Sequence, residues 1–237
     1  MNSPIVSLTV DSGCATAARC YVSELVSVAE RYRVPFTWLI KIEEHNPLEN
    51  VRLYHNEYIH RIPAWHELGL MIEFDSSPHS SMDRGDVIRM AKDVMKQYSI
   101  KPTSYRAVSG DLEASDIEAL LDIGIVVDST PGSCSSRPNG SPASPYHPSQ
   151  ISVQAEGNSG MWIVPVANID GVRAYLDDGF EKIKSVIDSQ LAASHHLCLG
   201  LCDCKDNAYA VEQAIAYLRT RGSRFVTLTQ MASELLG

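Results

Sequence analysis

The sequence has no apolar run approaching the roughly 18 residues that a membrane-spanning helix needs, and its first residues, MNSPIVSLTVDSG, lack the basic start and long apolar stretch of a secretory leader. A soluble, cytoplasmic protein is expected. No lysine or arginine cluster interrupts a balance of 20 basic against 29 acidic residues, a net charge of −9, which makes nucleic acid and anionic membranes poor partners. The six cysteines (Cys14, Cys20, Cys134, Cys198, Cys202, Cys204) are too sparse for a disulfide scaffold, and Cys202 and Cys204 lack the two-residue gap of a zinc knuckle. Free thiols in a reducing compartment are expected. What is present is globular: 44% hydrophobic and 21% charged residues over 237 positions, a length that one α/β barrel fills, so residues 1–237 read as a single domain.

Alternation of short β-rich runs with amphipathic stretches organises the chain. Ile5 to Val10 reads as a strand, Ala15 to Arg33 as a helix and Phe36 to Ile40 as a second buried strand, a β-α-β unit that implies parallel pairing. Residues 43–61 are polar, with a helix over part of them. His66 to Phe74 reads as a strand, Asp86 to Tyr98 as a helix closed by Pro102, and Thr103 to Val108 as a strand. Ser115 to Ile123 is a helix capped by Ser115 and stopped at Gly124; Ile125 to Asp128 is a strand. Residues 131–149 form a long Ser/Pro/Gly-rich loop of the functional or mobile kind. Strands at Met161 to Val166, Leu197 to Leu201 and Phe225 to Leu228 then alternate with helices at Gly179 to Ala193, Ala208 to Arg221 and Thr229 to Leu236, the last capped by Thr229. The fold class is α/β, a (β/α) barrel whose working face is its C-terminal rim.

Four strand ends carry acids or other reactive groups: Asp11, Glu73 with Asp75, Asp128, and Cys202 with Asp203. A barrel would gather those ends around one mouth. Taken singly, each acid reads as a loop residue accepting from a nearby backbone N–H; repetition at four ends favours a site.

These residues resemble a family. Ser7 to Gly13 is similar to the T-F-D-D-G opening of the polysaccharide deacetylases, the NodB-homology group or carbohydrate esterase family 4. His66 to Asp75 resembles the second motif, H-E-I-G-x-H-x-x-x-H, and Tyr105-Arg106-Ala107 the third. Leu121 to Ser129 resembles the later L-G-F-x-x-D-S strand, and Leu228 to Leu236 the closing helix. The resemblance implies a distorted (β/α) barrel, an Asp-His-His metal site, an aspartate base and a late histidine acid. Asp11 matches the base and Arg106 the arginine that orients it. Ser12 stands where the metal aspartate should be, Met71 and Asp75 where the two histidines should be, and Cys202 or Asp203 near the acid.

A hydroxyl and a thioether replace the hard donors that zinc requires, so no bound cofactor is expected; a weakly held divalent cation on Asp11, Glu73 and Asp75 is the alternative. The candidate catalytic residues are Asp11, Arg106, Glu73 and Asp75. Glu73 and Asp75, two residues apart on one strand side, would point to one pocket, although two solvated loop acids fit the sequence as well. The candidate substrate contacts are Tyr146, His147, Trp162 and Cys202. For these, surface loop, core packing and a small buried thiol are the structural alternatives. His66 reads as a loop-closing residue. The expected partner is a small-molecule or carbohydrate substrate, and a monomer or homodimer is the default state. Two rival functions accompany this one: a metal-independent enzyme using carboxylate chemistry for isomerisation, elimination or cyclisation, and a non-catalytic binding pseudoenzyme.

Overall fold

The computed structural model describes residues 3–12, 20–41, 55–74, 81–108, 112–131 and 144–236. On β1 (Ile5–Ser12), Val6, Leu8 and Val10 are fully buried, and so are Ser7 and Thr9 between them. A strand covered on both faces belongs inside a parallel sheet flanked by helices. One covering helix is α1 (Val22–Tyr32), which buries Val22, Leu25, Val26, Val28 and Ala29 along one stripe. The expected start of this helix, from residue 15, lies partly outside the described residues.

The remaining elements follow in alternation. They are β2 (Phe36–Lys41), a short π-helical turn (His55–Ile59), β3 (Glu67–Ile72), α2 (Arg84–Gln97), β4 (Ser104–Ala107), α3 (Ala114–Asp122) and β5 (Val127–Asp128). Then come β6 (Trp162–Ile163), the hairpin β7 (Asn168–Ile169) and β8 (Val172–Arg173), a 3-10 turn (Leu176–Asp178), α4 (Phe180–Ala193), β9 (His196–Cys202), α5 (Ala208–Arg219), β10 (Arg224–Phe225) and α6 (Leu228–Glu234).

The strands pair in parallel in the spatial order β9-β1-β2-β3-β4-β5-β6, and β10 joins the start of β1. Two single bridges, Val166 to Cys198 and Tyr175 to Gly200, bring the chain beyond β6 back against β9. The sheet therefore curls into a distorted (β/α) barrel, as expected. Closure falls to irregular chain: of the strand expected over Met161 to Val166, only Trp162–Ile163 is regular.

Register and alternation divide the side chains into two layers. Thr9 pairs with Thr37 and Asp11 with Leu39, while Met71 pairs with Arg106, so these residues share the inner face of the barrel. Val6, Leu8, Val10, Phe36, Trp38, Leu70 and Leu199 alternate with them and form the apolar layer beneath the helices. The lumen thus mixes Thr9, Thr37, Asp11 and Arg106 with the buried Leu39 and Met71, and most of the hydrophobic stabilisation lies outside it.

Two expected caps move. The N-cap of α3 is Glu113, whose N–H donates to Asp116 Oδ2 (2.9 Å); Ser115 lies inside the helix and donates to Glu113 instead. The N-cap of α6 is Thr227, whose hydroxyl accepts from the Gln230 N–H while Gln230 Oε1 accepts from the Thr227 N–H, a reciprocal capping box. Thr229 sits within the first turn and bonds to Glu67 at 2.7 Å. The β7-β8 hairpin was not expected, although its turn is Asp170-Gly171, both at positive φ, a strong hairpin signal.

Candidate functional site

Arg106 is the centre of the lumen and is 1% exposed. Its position on β4 lets the guanidinium span to the neighbouring strand ends. Nε donates to the Ser129 carbonyl (2.8 Å), Nη2 to Thr9 Oγ1 and to Ser129 Oγ (both 2.9 Å), and Nη1 to Asp11 Oδ1 (2.5 Å). The Thr9 hydroxyl in turn donates to the Leu199 carbonyl at 2.9 Å. Burial disfavours the guanidinium charge, but the nearby Asp11 carboxylate outweighs it and holds Arg106 above its ordinary pKa. The cation is permanent and its partners are fixed.

The second oxygen of Asp11 is also engaged, because the Tyr175 hydroxyl donates to Oδ2 at 3.1 Å. Burial raises the Tyr175 pKa well above that of an ordinary tyrosine, which keeps it a proton donor. Gly200 makes this approach possible. A Cβ at that position would lie 2.7 to 3.0 Å from three Tyr175 ring atoms, inside van der Waals contact. Cys198, two residues earlier on β9, lies 3.5 Å from Ser129 Oγ; burial raises its pKa, so it stays a thiol.

A second polar cluster fixes the end of β9 beside Asp11. Asp203 is fully buried, accepts from the Tyr58 hydroxyl (2.5 Å) and the Cys20 thiol (3.6 Å), and its N–H donates to the Asp11 carbonyl (3.3 Å). Burial first, then the Asp203 charge, pushes the Cys20 thiol up to about 11. Asp177 accepts from the Cys202 N–H (2.8 Å) and from Asn207 Nδ2 (2.7 Å), and its carboxyl is raised by burial.

Asp11 and Arg106 are therefore brought together. Glu73 lies at the rim in an ion pair with Lys41 (2.5 Å), and Asp75 is outside the described residues. Asp128 faces away from the lumen, since its register partner is Tyr105; its carboxylate accepts from the Thr130 N–H and hydroxyl, the ordinary fate of an aspartate after a strand. Tyr146, His147 and Trp162 gather at β6. Tyr146 donates to the Val153 carbonyl (2.7 Å), and His147 stacks on Trp162 with centroids 3.7 Å apart while its Nδ1 lies 2.9 Å from the Met161 carbonyl. Cys202 is bonded to Cys204 across one residue, which corrects the expectation of free thiols there and of a small buried thiol at Cys202. Cys20 and Cys198 are free.

Of the positions where the resemblance places metal ligands, Ser12 directs its hydroxyl to the Val10 carbonyl (3.4 Å) and Met71 is 3% exposed. Among the described residues, no group of three or more His, Cys, Asp or Glu side chains is arranged to hold a metal ion. His66 lies at the opposite end of β3, where its Nδ1 accepts from the Phe36 N–H (3.0 Å). Burial lowers its pKa to about 4. Asp203 is one of the strand-end acids picked out from sequence, whereas Tyr175, Thr9, Ser129 and Asp177 carry no such signal of their own. Thr9 and Ser129 lie inside the Ser7 to Gly13 and Leu121 to Ser129 motifs without being marked by them, and Tyr175 follows an irregular segment that carries no periodic signal.

No protein-family model matches the chain, and no curated protein matches it. Solved structures do. A putative polysaccharide deacetylase from Mycobacterium smegmatis superposes with a TM-score of 0.65 at 13% identity, covering 98% of this chain and 91% of that one. This chain has the polysaccharide deacetylase fold. A mutant of a carbohydrate esterase family 4 pseudoenzyme with restored enzymatic activity matches at a TM-score of 0.56 and 14% identity, over 97% of this chain and 67% of that one. An allantoinase matches at 0.58 and 12%, over 97% and 89%. The deacetylase fold places the ends of its strands, and with them the Asp11–Arg106 pair, at one mouth. No helix among the described residues is long and apolar enough to cross a membrane.

Proposed function

We propose that this chain is a divergent polysaccharide deacetylase-like protein that acts at the barrel mouth on a carbohydrate or a related N-acylated or polyol-like small molecule, without the metal site of the family. The Asp11–Arg106–Tyr175 cluster carries this reading. A carboxylate locked between a guanidinium and a phenol is a rigid acceptor for a ligand hydroxyl or amide N–H, and its side chain is 21% exposed. Among the described residues the positions where the resemblance places metal ligands do not suit one: a hydroxyl turned back onto its own strand and a buried thioether offer poor donors to a zinc-like ion. In this proposal the protein is a cytoplasmic monomer or homodimer with a small-molecule partner.

One observation favours the non-catalytic form of this function. The donors that could polarise a substrate carbonyl, Arg106 and the Tyr175 hydroxyl, are both directed at Asp11, and the described hydrogen bonds of Arg106 all run to protein acceptors. Electrostatic catalysis needs donors aimed at the developing charge. Holding a ligand does not.

The test is elemental analysis of the purified protein joined to an acetate-release assay on N-acetylhexosamine oligomers. The expected result is no stoichiometric zinc and no acetate. One zinc per chain with acetate released would overturn the reading. Ligand-induced thermal stabilisation without product, lost in Asp11→Asn, supports the binding form; turnover of any carbohydrate that Asp11→Asn abolishes supports the enzymatic form.

A further inference from the structure

At the end of the barrel opposite the mouth, the close of α1, the entries to β2 and β3, strand β10 and helix α6 enclose a groove of about 820 Å³. That volume falls within the range of small-molecule sites. Ile5, which pairs with Arg224 in this wall, is six residues from Asp11 along β1, or about 20 Å at ~3.3 Å per residue, so the groove is separate from the mouth.

Three features of the wall point to an occupant. Trp65 lines the groove with 43% of its surface exposed, while the His66 ring covers one side of the indole at 4.0 Å between centroids. A large aromatic surface left open beside polar groups favours an amphipathic ligand. Arg33, the C-cap of α1, holds a left-handed backbone (φ 50°) where glycine is the usual choice, and its side chain lines the groove. Arg33 and Glu30 have no side-chain partner among the described residues, whereas Arg224 and Glu234 on the far wall are paired with each other. The charges on the lining residues, Glu30 and Glu234 against Arg33 and Arg224, cancel.

A balanced lining gives an ionic ligand no net attraction. It does offer a planar acceptor and a planar donor that no other described side chain engages, beside an aromatic face, which suits a ring with apolar C–H faces and a rim of hydroxyls. We infer that this groove is a second binding site, for a neutral sugar ring or short oligosaccharide stacked on Trp65 and gripped by Arg33 and Glu30. The site takes the ligand class proposed for the mouth, and it stands on its own residues.

The experiment titrates the purified chain with tetramers of N-acetylglucosamine, glucose and xylose, following tryptophan fluorescence and calorimetric stoichiometry. At least one tetramer is expected to bind in a mode that Trp65→Ala weakens about tenfold. Arg33→Gly should weaken the same mode without lowering the thermal midpoint, since it removes a side chain from a backbone that glycine adopts freely. Asp11→Asn should leave it intact. Absence of binding by all three sugars, binding that survives both groove variants, or displacement by inorganic phosphate would overturn the inference. A mode sensitive to Trp65→Ala, with no second mode sensitive to Asp11→Asn, would uphold the groove and sink the mouth reading.

Discussion

The two ends of the barrel use polar residues in opposite ways. At the mouth, a buried arginine spreads its hydrogen bonds over Asp11, Thr9 and Ser129, and Tyr175 completes Asp11. At the floor, Glu67 takes the Thr229 N–H and hydroxyl and so fastens α6 to β3, while Arg33, Glu30 and Trp65 beside it face an open groove. The mouth is rigid because each group is bonded before any ligand arrives. The groove keeps donors and an aromatic face in reserve. Preorganisation and availability are competing uses of the same side chains, and this chain separates them by the length of a strand.

The comparison breaks most sharply at Arg106. Arg106→Met removes the cationic partner of a partly buried carboxylate and one donor from each of the Thr9 and Ser129 hydroxyls, and it should cost on the order of 3–5 kcal/mol. A urea midpoint within experimental error of the wild type would show that the mouth is not held by this cation.

His66 supplies the corresponding test at the floor. Its folded pKa of about 4 lies below the ordinary 6.5, so the unfolded chain binds the proton more readily. Stability should be full above pH 6.5, fall between pH 6.5 and about 4, and level off below that. The loss attributable to this residue is on the order of 3 kcal/mol. Denaturation curves of wild type and His66→Asn across that range should differ in slope; parallel pH dependences would remove His66 as the cause.

The finest distinction lies at Gly200. Gly200→Ala should cost about 1–3 kcal/mol, because its Cβ meets the Tyr175 ring and drives the hydroxyl from Asp11. Tyr175→Phe, which loses one hydrogen bond, should cost only about 1 kcal/mol. In a Tyr175→Ala background the cost of Gly200→Ala should largely vanish. Additive costs in that double-mutant cycle would mean that the glycine serves something other than the tyrosine.

Much of the architecture was legible because parallel strands buried on both faces are written as short apolar runs, and the helices between them as stripes. Val6, Leu8 and Val10, or Leu25 with Ala29, carry that signal locally. The caps at Glu113 and Thr227 escaped because any of several Ser, Thr or acidic residues near a helix start can serve, and the choice depends on where the preceding strand releases the chain. Asp11 and Arg106 could be picked out by their motifs. That Asp128 turns away while Ser129 turns inward could not, since one step of register reverses the face.

Sequence alone determined the alternation of elements and the barrel class, which are properties of residue type and local order; the candidacy of Asp11 with Arg106, and of Ser12 and Met71 as stand-ins for metal donors, came from the resemblance of short motifs to the deacetylases. Tertiary structure decided that Tyr175 closes on Asp11 through the gap left at Gly200, that Tyr146, His147 and Trp162 form a cluster of their own at β6, and that Trp65 and Arg33 share a groove at the far end. Those contacts join residues far apart in the chain, and only the curl of the sheet sets the distances between them.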